Sequence, residues 1–147
     1  MLDAASLGSS RGVDGAEMAS LDAFLLCDSA GRDGQTGKWT LVGVFDAVWA
    51  AQFPALHQSM DVYFRLRLTG SPAVQLFCRT PAGDVSLLAT VGVNPAPRGL
   101  VEGTVRVEGL ELSEAGEYRF ELHVDGQRLG TTALVVAQLP PRSSPLH

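Results

Sequence analysis

Residues 112–126 read "LSEAGEYRFELHVDG". From Glu117 to Val124 apolar and polar side chains alternate. Tyr118, Phe120, Leu122 and Val124 fall on one side, and Glu117, Arg119, Glu121 and His123 on the other. A period of two is that of a β-strand with one buried and one wet face. Asp125-Gly126 then supplies the strongest short hairpin signal, because both central residues of such a turn need positive φ. The segment Arg128–Val136 is the returning strand.

Working outward, the same pattern recurs between Gly, Pro and Asp punctuation, the spacing of a sandwich or barrel. Expected strands are Ala23–Asp28, Trp39–Phe45, Asp61–Thr69, Val74–Thr80, Val85–Val93, Val101–Glu108, Glu117–Val124 and Arg128–Val136. In "DVYFRLRLT", 61–69, Val62, Phe64, Leu66 and Leu68 share the inner face, while Tyr63, Arg65, Arg67 and Thr69 look out. "WTLVGVF", 39–45, is apolar on both faces and is expected to be a central, doubly covered strand. Residues 46–59, with Phe53-Pro54 as a break, read as a helical turn or a crossover between sheets. No helical pattern is long enough for a βαβ unit, so the fold class is all-β.

Glu114, Gly116 and Tyr118 have the spacing of the immunoglobulin-type tyrosine corner, in which the hydroxyl bonds back to the preceding loop. Where an antibody domain would carry a cysteine, this chain has Phe120, and Cys27 and Cys78 stand in no matching register. The expectation is an immunoglobulin-like antiparallel sandwich of about eight strands without an inter-sheet disulfide. The whole folded region, roughly 23–136, resembles a family of short uncharacterised bacterial proteins. The resemblance rests on Gly37, Lys38, Gly43, Phe53, Pro54, Gly116, Tyr118, Asp125 and Gly126. It implies a fold and no catalytic residues.

The totals bound the rest. The chain has 147 residues, 46% hydrophobic and 18% charged, with a net charge of -5. That length suffices for one domain with its own core. Residues 1–20 and the Pro/Ser-rich 139–147 are expected to be flexible tails flanking a domain over 21–138. The negative balance argues against a nucleic-acid partner, whose phosphates need a cationic field. No apolar run is long enough to span a bilayer. No basic-then-apolar leader opens the chain. Two cysteines are too few for a disulfide framework, so the expected compartment is cytoplasmic.

Candidate chemistry is sparse. "GRDGQTGKWT", 31–40, is reminiscent of a phosphate loop, but five residues separate Gly31 from Gly37, and Trp39 stands where Ser or Thr should bind magnesium. A strand follows it where a helix N-terminus is required. The histidines are His57, His123 and His147, and no Gly-x-Ser-x-Gly elbow accompanies them. No metal-ligand spacing occurs. No catalytic residue, cofactor or small-molecule substrate is therefore implied.

The most recognition-like surface combines Tyr63, Arg65 and Arg67 with Gln75, Phe77 and Arg79 on the next strand, since arginine and aromatics are enriched at binding hot spots. The bland alternative pairs those arginines across strands with residues such as Glu117 or Glu121. The 46–59 link, through Trp49 or Phe53, could also cover the face. The functional expectation is a non-catalytic binding or assembly module meeting a protein partner by a sheet face or edge strand. The alternative is a homo-oligomeric subunit of a larger bacterial or phage-like assembly, and a third reading is an enzyme with a site scattered through the sequence.

Overall fold

Strands that each have one apolar face are stable only when two such faces meet, and here two sheets meet. The computed structural model describes residues 19–140. It contains β1 (Ala19–Arg32), β2 (Trp39–Phe45), β3 (Ala47–Ala50), β4 (Ala55–Leu68), β5 (Ala73–Arg79), β6 (Val85–Gly92), β7 (Leu100–Leu112), β8 (Gly116–Val124) and β9 (Gln127–Gln138). The tails expected at 1–20 and 139–147 lie outside the described residues except at their inner ends. There Ala19 and Ser20 already belong to β1, and the Leu139 N–H donates to the Ala50 carbonyl at 2.8 Å.

One sheet has the order β2-β1-β4-β7 and the other β3-β9-β8-β5-β6. Neighbours are antiparallel except β3 and β9, which run parallel from Ala47↔Val135 to Ala50↔Gln138. The core lies between the sheets. Val62, Phe64, Leu66 and Leu68 of β4 enter it from one side, and Tyr118, Phe120, Leu122 and Val124 of β8 from the other. Each such side chain stabilises the fold by roughly 1.5–3 kcal/mol relative to exposure.

The tyrosine corner is present. The Tyr118 hydroxyl donates to the Glu114 carbonyl at 2.8 Å and accepts from the Glu114 N–H at 3.3 Å, which clamps the connection from β7 to β8. Phe120, in the place of the cysteine, is fully buried. The hairpin after it turns as expected, with Asp125 at φ 49° and Gly126 at φ 80°. The chain is an immunoglobulin-like β-sandwich.

One expectation about an element is corrected, and of the two readings of the 46–59 link one is selected. The "WTLVGVF" strand is β2, and it is the edge of its sheet, not its centre: Val42 and Val44 are each 55% exposed. Apolar residues on both faces arise there because Trp39 and Leu41 lie half-buried, Trp39 against Tyr63, while Val42 and Val44 look to solvent. The 46–59 link contains no helix. It is β3, a cis Phe53-Pro54 connection and the start of β4, so it does cross between sheets.

Candidate functional site

The expected recognition patch does not exist as one surface. β4 and β5 follow each other in sequence but belong to different sheets. Tyr63, Arg65 and Arg67 therefore lie on the outer face of one sheet, and Gln75, Phe77 and Arg79 on the outer face of the other. Alternation tells which residues share a face. It does not tell which sheet a strand joins.

All of these but Gln75 are also engaged. Tyr63 is only 6% exposed: Trp39 meets it edge-on with ring centroids 5.6 Å apart, and its hydroxyl is hydrogen-bonded to the Glu102 carboxylate. Burial, then the bond and the charge of Glu102, push the phenol up to about 12. Arg65 reaches Asp22 at 3.7 Å and Glu102 at 3.8 Å, and Arg67 donates to Asp22 at 3.1 Å. On the opposite face Phe77 lies against the His123 ring, centroids 4.6 Å apart, and Arg79 donates to Glu121 at 3.0 Å. The pairing with Glu121 matches the bland reading, but Arg65 and Arg67 pair with Asp22 and Glu102 instead of Glu117 or Glu121.

Glu121, expected on the wet face, is buried. Loss of water pushes its carboxyl up, but hydrogen bonds from Arg79 and His123 and the charges of Arg79 and Arg128 outweigh this. They hold it below its ordinary value of 4.5.

The cover over Tyr63 comes from a part of the chain that sequence reasoning did not assign to it. The β1–β4 ladder ends at Cys27↔Asp61, whereas β1 continues paired with β2 as far as Arg32↔Trp39. Beyond Cys27 this hairpin lies over the outer face of β4 and β7. The Ala30 N–H donates to Asp61 at 2.7 Å. Arg106 holds both the Asp28 carbonyl, at 3.3 Å, and Asp61, at 3.2 Å. At the tip, which is the "GRDGQTGKWT" stretch, the Asp33 carboxylate accepts the N–H groups of Gln35 and Thr36, both at 2.8 Å. Amides that a phosphate loop would offer to its ligand are thus satisfied by the chain itself.

Folding the hairpin outward leaves an open corner where β2 passes to β3 through Asp46 alone. Val42, Val44 and Trp49, the last 63% exposed, stand there. A cleft of about 570 Å³ opens between Val44, Phe45, Val48 and Trp49 on one side and Asp28 and His57 on the other. Gly43 adopts φ 68°, and a Cβ there would strike the Asp28 carboxylate. The His57 ring lies against Phe45 with centroids 5.6 Å apart, and its Nε2 is buried without a hydrogen-bond partner among the described residues. Among the described residues no hydroxyl, thiol or amine side chain lines this cleft. Among the described residues no group of three or more His, Cys, Asp or Glu side chains is gathered as a metal site would require. No helix there is long and apolar enough to cross a membrane. Cys27 and Cys78 are both buried free thiols.

Solved structures of low identity align with the chain. A chain of the Pseudomonas fluorescens alkylpurine DNA glycosylase AlkC, bound to DNA containing an abasic site analog, aligns with a TM-score of 0.51 at 10% identity. The alignment covers 82% of this chain and 30% of that one, so the present chain spans about a third of its length. An immunoglobulin-like protein from Pseudomonas aeruginosa aligns with a TM-score of 0.41 at 16% identity, over 82% of this chain and 97% of that one. No curated protein matches the sequence at a significant level. A family profile does match, over residues 22–137, from the Asp22 that pairs with Arg67 to the last residue but one of β9. The chain therefore belongs to a family of unknown function, DUF6941.

Proposed function

We propose that this domain is a non-catalytic protein-binding module that receives its partner along the corner formed by β2 and β3. The observation that carries the reading is the exposure of Val42, Val44 and Trp49 beside an edge strand that, among the described residues, is paired on one side only. An unpaired edge offers a row of N–H and C=O groups, and adjacent apolar side chains supply the burial that makes strand addition specific. The arginine–aromatic residues of the two outer faces are already paired within the chain, which favours the corner over either face. Reduced, buried thiols suit a cytoplasmic protein. The net charge of -5 favours a protein partner over nucleic acid.

The test is a capture experiment from a lysate of the native host with the full chain immobilised. Replacing Val44 and Trp49 together by Lys should remove the captured partner, and Arg67→Glu should leave it. Capture unaffected by the first variant and abolished by the second would transfer the site to the outer face of β4.

A further inference from the structure

We infer that β2 is a self-complementary edge whose partner is a second copy of this chain, paired antiparallel about a two-fold axis through Val42. This deepens, and rests on, the reading of the β2–β3 corner as a binding edge. The strand is exposed at Thr40, Val42 and Val44, and among the described residues it pairs only with β1. With Val42 on the axis, Val42 faces its own copy and Thr40 faces Val44. Lys38 faces Asp46, each being four residues from the axis (42 − 38 and 46 − 42). β-branched pairs directly opposite each other are among the favourable cross-strand contacts, and opposite charges at the ends fix direction and register.

Both charges are available for this. Lys38 and Asp46 are exposed, and among the described residues neither is in an ion pair within the chain. A two-fold interface uses the same patch on both copies, so one strand must complement itself, as this one does. Of the other edges bearing large exposed apolar side chains, β3 with Trp49 has four residues and no charge, and β6 with Val85 and Leu87 has no charged residue of its own to answer Asp84 at its start. β2 keeps one register with β1 on both sides of Gly43, from Ser29↔Val42 to Leu26↔Phe45, and its length of seven residues keeps the ladder short, which places the dimer among weak interfaces.

Sedimentation of the full chain from micromolar to near-millimolar concentration tests this. The wild type should pass from monomer to dimer, and Val42→Lys should raise the dissociation constant by about tenfold or more, since it sets like charges directly opposite each other. Lys38→Asp and Asp46→Lys should each weaken self-association, and an equimolar mixture of the two should restore it as a heterodimer, because every end pair is then Asp against Lys. All three positions are exposed, so unchanged circular dichroism and melting are expected for each variant. A wild type that stays monomeric overturns the self-pairing, while the capture experiment above still decides the wider reading. A dimer that Val42→Lys leaves intact, or a mixture that fails to re-associate, overturns the β2 interface or its register.

Discussion

At the scale of single residues, two side chains carry unusual weight. The Tyr118 hydroxyl makes two bonds to Glu114 while its ring is buried in the core. Tyr118→Phe keeps the ring and leaves the Glu114 groups unpartnered, so urea unfolding should show a loss of about 1–2 kcal/mol. Glu121 is the second. Its folded-state carboxyl lies below 4.5, so the stability it contributes is present above its unfolded value and is lost as pH falls through the folded one. Glu121→Gln should therefore flatten the acid side of a stability–pH profile below 4.5, and leave its neutral-to-alkaline shape alone. Burial also raises both thiols, Cys78 to about 11 and Cys27 with further help from the nearby Asp61 and Asp28. A thiol reagent should label neither quickly until denaturant is added. Tyr118 and its corner were legible in the sequence because the spacing Glu114–Gly116–Tyr118 is local. Burial of Glu121 was not, because it depends on Arg79, which is distant in sequence and arrives through the β5–β8 ladder.

At the scale of elements, the β1–β2 hairpin does two jobs with one strand. Its Trp39 shields Tyr63, and its far edge presents Val42 and Val44. Gly43 makes the stem possible, because the Asp28 side chain occupies the space a Cβ would need. Gly43→Ala should cost about 1–3 kcal/mol in chemical denaturation, from the strained φ and the contact with Asp28. The two tryptophans give a direct check on the hairpin's placement. Trp49, on β3, is exposed, and Trp39 is partly covered by its contact with Tyr63. Acrylamide should quench the Trp39→Phe variant, which retains Trp49, more strongly than Trp49→Phe, and equal quenching would contradict the cover over Tyr63. Most strand runs were readable from alternation, and β2, apolar on both faces, was bounded to the residue as a run between turn signals. The short β3 was hidden, since four residues cannot display a period and its partner, β9, lies at the other end of the domain. The candidate corner was hidden with it. A stretch apolar on both faces is as compatible with an exposed edge as with a buried centre until its neighbours are known.

At the scale of the whole molecule, the described residues form two sheets of four and five strands around one core, and between β2 and β3 the chain changes sheet through Asp46. The tight crossing sets two edges side by side, which is why the proposed partner meets β2 and β3 together and not a broad face. The parallel pairing of β3 with β9 has a consequence in time. Ala47 pairs with Val135, 88 residues later (135 − 47), so β3 has no ladder partner until nearly the whole domain has been synthesised. Closing so long a loop is slow, and all-β domains rich in such distant pairings refold in milliseconds to seconds. A circular permutant that begins at β9 and is linked to β1 would bring that pairing closer in sequence but would part β9 from β8, with which it shares nine paired positions against four with β3. Its refolding should therefore be slower than that of the natural chain, and stopped-flow fluorescence showing faster refolding would contradict this. In the natural order Trp49 is made long before the strand that anchors its own, and the nascent chain carries the apolar corner uncovered for most of its synthesis.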